Sequence, residues 1–309
     1  MDLVVEGDAL AFSRRLAERL GAMLRTHERF ATATLERRGG HRLDVAATRR
    51  ERYVRSGALP DVMPGVPIEQ DLGRRDFSIN ALALELARRP RLLDPFAGCD
   101  DLRGGLVRIL HAESFLDDPT RILRAVRYAA RLGFRLAPST RARLVAALEA
   151  GALDRISPDR LRRELRLILE EPGRAEGVAL LRRLGVDTAV HPALARPGAA
   201  ARIRHAGAGA PGWLCYLRAW MGDAADDQID AVASRLGLSR AERRALLGPP
   251  RGTTAIGALR GADLIAAGVP PGPAIGRALA RTRDAIDAGR LDAQDALAFA
   301  LRAAREGDA

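Results

Sequence analysis

Apolar and polar positions follow two different periods in the two parts of the chain. Leu3-Val4-Val5 is a short apolar run that predicts a strand. After Gly7-Asp8, Phe12, Leu16 and Leu20 recur at a spacing of four, the stripe of an amphipathic helix. From Phe30 to Leu35 the period drops to two, with Ala31, Ala33 and Leu35 set against Thr32 and Thr34, which predicts a strand. Gly39-Gly40 permits a tight reversal, and His41–Thr48 returns as the second arm of a hairpin. Pro60, Pro64 and Pro67 predict an irregular crossing, followed by a helix bearing Phe77, Ile79, Leu82 and Leu84; Asp94-Pro95-Phe96-Ala97-Gly98 predicts a turn. From Pro119 onward the helical period dominates and predicts helices over 119–132, 138–150, 158–171 and 174–184. Ala195–Pro211, rich in Ala, Gly and Pro, reads as a loose connection to a C-terminal helical part, and the chain shows no internal repeat.

Composition adds the size and the polarity of the core. With 309 residues, 47% of them hydrophobic, the chain can bury a sizeable core divided among two or three domains. Only 4% are aromatic, so that core must be built from Leu, Ala, Val and Ile. The net charge of +11 suits a polyanionic partner such as RNA. Every one of the 50 basic residues is Arg, which points to a genome-wide bias as well as to phosphate recognition, for which the planar guanidinium is suited. Cys99 and Cys215 are too few for a disulfide framework, and the five histidines show no metal-ligand spacing. No signal peptide or membrane-length apolar run is visible, so a cytoplasmic setting without a membrane partner is the expectation.

Several positions could carry chemistry. Asp44 lies between Leu43 and Val45 on a predicted strand, and Asp2 stands just before Leu3-Val4-Val5. Two strand acids on one face could share a divalent cation; the plainer alternative is a pair of exposed strand acids. Arg74 and Arg75 offer charge-assisted donors to phosphate oxygens, while Asp76 and Asn80, four apart, could hydrogen-bond a ribose; a capped amphipathic helix is the alternative. Asp118 with Pro119 forms a strong helix start, and Asp117, Asp118 and Arg121 together offer acceptors and donors to a base edge. Arg124, Arg127, Arg131 and Arg135 form a stripe that is either a solvated face or an RNA track. Ser157-Pro158 starts a further helix, with Leu161, Leu165, Ile168 and Leu169 on its buried side and Arg160 near its beginning. Gly268–Gly276, with three prolines, reads as a helix-start turn.

Two of these segments carry a family resemblance. Gly73-Arg74-Arg75-Asp76-Phe77-Ser78-Ile79-Asn80-Ala81 resembles an Arg-Arg-Asp-Phe-Thr-x-Asn-Ala motif, and Asp117-Asp118-Pro119-Thr120-Arg121 resembles a second motif, of the class II tRNA nucleotidyltransferase and bacterial poly(A) polymerase family. The similarity runs over most of residues 1–190. It implies an α+β fold: a truncated nucleotidyltransferase (polymerase-β-like) head with a mixed sheet, followed by an all-α neck and body. The implied domains are a head over 1–110, a helical neck over 111–190 and a helical body or tail over 191–309. It implies transfer of A or C nucleotides from ATP or CTP to the 3′ end of tRNA or another RNA, with Mg²⁺ as cofactor. Asp2 and Asp44 would be catalytic and hold the metal; Arg74, Arg75, Asp76, Asn80, Asp117, Asp118, Arg121 and Arg124 would bind the nucleotide; Arg127, Arg131 and Arg160 would bind RNA. Asp2 aligns with the second acid of the family's Asp-x-Asp pair, so the first would precede Met1. The resemblance therefore also implies an alternative, a catalytically impaired nucleotide- and RNA-binding fragment of a longer polypeptide. Both acids and the Arg accommodate A and C, which leaves A-adding, CCA-adding and poly(A) activities open, as well as the oligomeric state.

Overall fold

A computed structural model describes residues 1–309 except 38, 207–211, 248–258, 260, 288–290, 292–294 and 307–309. The chain forms two compact units, 1–237 and 238–309. The boundaries expected at 110 and 190 both lie inside the first.

The first unit opens with a mixed four-stranded sheet in the order β1-β4-β3-β2, formed by β1 (Asp2–Val5), β2 (Met23–His27), β3 (Thr32–Arg37) and β4 (His41–Ala47). β1 runs parallel to β4, and the other pairs are antiparallel. α1 (Ala9–Leu20) connects β1 to β2 and is capped by Asp8, whose carboxylate accepts from the Ala11 amide at 2.9 Å. Period-2 alternation decides the two faces of the sheet. Ala33, Leu35, Val45 and Ala47 turn one way and bury against Ala9 and Ala17 of α1. Asp2, Thr34 and Asp44 turn the other way, neighbours in register across three strands. The sequence pattern marked β1, β3 and β4 but gave no sign of β2.

A proline-rich crossing was expected next. Instead β5 (Arg49–Arg52) and β6 (Asp61–Pro64) pair as a hairpin, leading into α2 (Ile68–Gly73). The helix expected to carry Phe77, Ile79, Leu82 and Leu84 is replaced by a single 3₁₀ turn over Ser78–Asn80, followed by a small hairpin of β7 (Ala83–Glu85) and β8 (Arg91–Leu93). Phe77 is extended and bridges Ile109, so its neighbours cannot continue a helix. Asp94 does form the expected turn: it accepts from the Gly98 and Cys99 amides and so caps α3 (Gly98–Gly104). Short β9 (Leu106–Val107) leads from there to the helices.

A short α4 (Ser114–Asp117), not expected from the periodicity, precedes helices in close agreement with it: α5 (Thr120–Leu132), and, after the two-residue β10 (Arg135–Leu136), α6 (Pro138–Glu149), α7 (Pro158–Glu170) and α8 (Arg174–Arg183). α5 packs on α7 and α8, and Ile122, Leu123, Val126, Leu161, Leu165 and Leu181 on these helices are fully buried. α9 (Val186–Val190) and α10 (Ala199–His205) come next, the latter inside the segment expected to be loose; residues 207–211 of that segment lie outside the described ones. α11 (Trp213–Met221) and α12 (Asp226–Arg235) complete the unit. The second unit contains α13 (Arg240–Leu247), α14 (Gly261–Ala266), α15 (Pro273–Asp287) and α16 (Ala296–Glu306). Its core is Leu264, Val269, Ile275, Ala278, Ala300, Ala303 and Ala304, and the Gly268–Gly276 motif supplies the turn into α15. Among the described residues no helix is long and apolar enough to cross a membrane.

Phe77 ties the sheet-bearing part to the helices. It is 0% exposed and meets the Tyr128 ring of α5 edge-on at 5.7 Å. Phe77→Ala should cost about 3–5 kcal/mol, read as a shift in the urea midpoint. A loss below about 1 kcal/mol would mean that this contact is not part of the core.

Candidate functional site

Asp71, on α2, organises the polar centre. It is 0% exposed, and its carboxylate accepts from the Arg49 amide at 3.0 Å, from Arg74 at 3.0 and 2.7 Å, and from Arg75 at 2.8 Å. Burial alone would raise its pKa, but the hydrogen bonds from Arg75 and Arg74 hold it below the usual carboxylate range. Arg74 also donates from Nη1 to Glu51 at 3.0 Å and from Nε to the Arg49 carbonyl at 3.0 Å. The Nε of Arg75 is buried with no hydrogen-bond partner among the described residues.

Glu51 extends this network. It accepts from Arg49 at 2.9 Å and from the Tyr53 hydroxyl at 3.1 Å. Burial, followed by the Glu51 charge, pushes the Tyr53 phenol well up, so it remains a donor. The ring of Tyr53 lies 6.0 Å below the Arg121 guanidinium. Arg121, only 4% exposed, donates to Ser114 Oγ at 2.7 Å and to the Arg74 carbonyl at 2.8 Å. The two segments singled out in the sequence, forty residues apart, are therefore joined directly. Between them opens a cleft of about 310 Å³ lined by Arg50, Glu51, Tyr53, Gln70, Gly73, Arg74, His111, Asp117 and Arg121.

Of the expected nucleotide residues, Arg75, Asp76, Asn80, Asp118 and Arg124 are not among those that line this cleft. Asp76 accepts from the Phe77 amide and from Asn80 Nδ2 at 3.0 Å, so Asp76 and Asn80 meet directly without sharing a helical face. Arg124 donates to Asp76 at 2.8 Å, bracing it from α5. Asp118 caps α5 by accepting from the Thr120 amide and hydroxyl at 3.0 and 2.6 Å. It also accepts from Arg160 at 2.7 Å, and Arg160 donates to the Gly57 carbonyl at 2.9 Å. Gly57 has φ +75, and a Cβ there would come within 2.5 Å of the Arg155 carbonyl oxygen, so a side chain would displace the hairpin loop that lies against Asp117.

The stripe expected to face RNA divides. Arg127 is 8% exposed and ion-paired with Glu164 and Glu171, so it is turned into the protein and braces α5 against α7. Arg160 is likewise engaged with Asp118 and Gly57. Arg131, 3.8 Å from Glu171, and Arg135 face outward. Glu51, Tyr53, Asp71, Ser114 and His111 were given no role in the site by the sequence.

On the open face of the sheet, Asp2 and Asp44 are register partners in the parallel ladder, so their side chains leave the same face on adjacent strands. Asp44 accepts from Thr34 Oγ1 at 2.6 Å and from Arg42 at 3.0–3.1 Å; the Thr34 bond first and then Arg42 hold its carboxyl below the usual range. This hard-oxygen pair fits a divalent cation in donor type. Among the described residues no three His, Cys, Asp or Glu side chains converge on one point.

Known families match the same regions. The model of the poly(A) polymerase head domain matches residues 1–108, and that of the probable RNA- and SrmB-binding site of polymerase A matches residues 133–196. An A-adding tRNA nucleotidyltransferase of Halalkalibacterium halodurans is 47% identical over 175 residues, which is 55% of this chain and 41% of that protein. The chain thus spans about two fifths of that relative. A CC-adding tRNA nucleotidyltransferase of Deinococcus radiodurans is 36% identical over 323 residues, 98% of this chain and 84% of that protein. The chain belongs to the tRNA nucleotidyltransferase and poly(A) polymerase family. Its fold is that of solved family members: a CCA-adding enzyme in an apo form superposes with TM-score 0.73 at 30% identity, over 97% of this chain and 70% of that one. The Thermotoga maritima CCA-adding enzyme complexed with tRNA superposes with TM-score 0.66 at 28% identity, over 98% and 70%. In this nucleotidyltransferase fold the mixed sheet is the head, and the helical region follows it.

The Asp71 network gives a pH signature. Its folded-state pKa is depressed, so its stabilisation is complete above the unfolded value of about 3.9 and is lost as pH falls through the lower folded value. Asp71→Asn leaves two guanidinium groups without their carboxylate and should cost about 3–5 kcal/mol at pH 7. The urea midpoint of the wild type should fall more steeply than that of the variant between about pH 4 and 2. Parallel acid limbs would remove Asp71 from this role.

Proposed function

We propose that the chain transfers A or C nucleotides from ATP or CTP to the 3′ hydroxyl of tRNA and releases pyrophosphate. The observation that carries this reading is the convergence of Arg74, Asp117 and Arg121 on one cleft, within a family whose relatives are named for A, CC and CCA addition. Arg74, Arg75, Asp76, Asn80 and Arg124 bind or brace the nucleotide at the Asp76 end. Asp117, Asp118 and Arg121 read the base: a carboxylate accepts from the exocyclic amine of C or A, and a guanidinium donates to ring nitrogen or carbonyl. Because Arg121 and Asp118 are already held by Ser114, Arg74, Thr120 and Arg160, the base meets donors and acceptors that need little reorganisation.

Asp2 and Asp44 would hold Mg²⁺, which when bound supplies charge neutralisation at the transferring phosphate. The same carboxylates place the acceptor end of the RNA against the sheet's open face. Arg131 and outward-facing arginines of the neck and body hold the RNA backbone by charge. The division into a head over 1–110, a neck over 111–190 and a body over 191–309 is part of this reading. So is a cytoplasmic location, which suits Cys99 and Cys215, neither of them in a disulfide.

A second reading, a nucleotide- and RNA-binding module with impaired transfer, has one observation in its favour: Asp44 is engaged by Arg42 and Thr34, and among the described residues no third acid joins Asp2 and Asp44 in one cluster. A transfer assay with labelled ATP or CTP, Mg²⁺ and tRNA lacking its 3′ end separates the two. The enzyme reading expects incorporation that Asp44→Ala lowers by about 100-fold or more, the scale of a reacting group misplaced by about 1 Å. ATP binding without incorporation by the wild-type chain would establish the second reading.

A further inference from the structure

On the open face of the sheet an exposed arginine occupies the acid that a divalent cation would need. Arg42 precedes Asp44 by two residues on β4 and leaves the sheet on the same side. Its Nε donates to Oδ1 of Asp44 at 3.1 Å and to Oδ2 at 3.0 Å, and its Nη2 donates to Oδ1 at 3.0 Å. Thr34 Oγ1 adds a donor to Oδ1 at 2.6 Å. A carboxylate has about four acceptor sites, so these contacts use most of what Asp44 offers, and most of them come from one guanidinium. Burial does not hold Arg42 in place: its side chain is 62% exposed and that of Asp44 is 40% exposed. A second acid lies within its reach. Glu36 stands directly opposite Arg42 in the β3–β4 ladder, and the Cβ atoms of such partners are about 4.5–5.5 Å apart. Asp44, Glu36 and Asp2 are the acids whose charge acts on the guanidinium.

We propose that Arg42 is a latch on the cation site: it holds the Asp44 carboxylate while no divalent cation is bound, and yields it by turning across the ladder to Glu36. The inference rests on the reading of Asp2 and Asp44 as metal ligands. A guanidinium has donors and no acceptor, whereas a hard divalent cation takes oxygen ligands, so Arg42 cannot join the ligand set and can only contend for Asp44. Its positive charge also repels a cation brought to the same carboxylate. The latch can open because an exposed ion pair is weak. A buried carboxylate held as Asp71 is would not release its partners so readily. Turning to Glu36 keeps the guanidinium paired, so the exchange trades one exposed ion pair for another. Asp44 thus favours the closed position of Arg42, Glu36 the open one, and the balance between them sets the affinity for the cation.

Binding of Mn²⁺, used in place of Mg²⁺, to the full chain without nucleotide tests this, followed by the loss of the free-ion signal in electron paramagnetic resonance. Arg42→Gln should bind Mn²⁺ about fivefold more tightly than the wild type, the scale of one exposed ion pair. Glu36→Gln should weaken binding in the wild-type chain and change it much less in the Arg42→Gln chain, where no guanidinium needs a second partner. Equal losses in the two backgrounds would overturn the inference, because Glu36 would then act on the cation by its charge alone. Arg42→Gln binding no more tightly than the wild type would overturn it as well, while a loss of Mn²⁺ in Asp44→Asn would leave the metal reading standing. If Asp44→Asn, made in the wild-type and Arg42→Gln chains, binds Mn²⁺ as its parent does, the metal reading itself fails, and the inference with it. Melting curves without cation show that each variant remains folded, as substitution of exposed side chains should allow.

Discussion

One carboxylate out of reach of water, that of Asp71, is the constraint on which the cleft depends. A buried carboxylate is tolerated only when partners replace its hydration, and here two guanidinium groups and a backbone amide do so. The consequence spreads outward. Fixing Arg74 fixes its carbonyl, which receives Arg121 from α5, and its Nη1, which meets Glu51 on β5. Glu51 in turn orients Tyr53 beneath Arg121. Three elements that share no sequence neighbourhood are set in place by one charge and its donors.

The replacement of every Lys by Arg changes what the net charge of +11 means. A guanidinium has five donors in a planar fork, so it can serve several acceptors at once where an ammonium acts as a point charge. Arg202 illustrates this far from the cleft: it donates to the carbonyls of Pro197, Ala219 and Trp220, tying the start of α10 to the end of α11. Arg124, Arg127 and Arg160 are engaged in the same way. Part of the positive charge is thus internal framework, and the stripe that periodicity left open between solvated face and RNA track divides: Arg124 and Arg127 brace the fold, while Arg131 and Arg135 are exposed.

The helices were legible because Leu and Ala recur with the helical period and because Pro119, Pro138 and Pro158 mark starts that the structure places within a residue or two. The strands were legible where apolar residues run together or alternate, as in Leu3-Val4-Val5 and Thr32–Arg37, and not where the residues are mostly polar, as in Met23–His27 and Arg49–Arg52. The stretch after Phe77 misled because its apolar spacing also suits an extended segment plugged into a core, and only Tyr128 and Ile109, some thirty to fifty residues on, decide between them. The polar site divides similarly. Arg74, Asp76, Asn80 and Arg121 stood out as motif residues, whereas Glu51, Asp71, Ser114 and His111 acquire a role only through convergence, which no local window contains.

The two ends of the proposed site are built on different principles. At the base end, Arg121, Asp118 and Asp76 are locked by buried partners before any ligand arrives, as discrimination between bases requires: a group free to re-pair would accept the wrong edge. At the sheet end, Asp2 is exposed and Asp44 is held by a threonine hydroxyl and by an arginine that is itself largely in solvent. An arrangement of that kind gains little order from the fold, since an exposed ion pair contributes at most about 1 kcal/mol. Its geometry must come from what binds there. On the proposed reading, selection would be a property of the folded chain, and the reacting geometry a property of the complex.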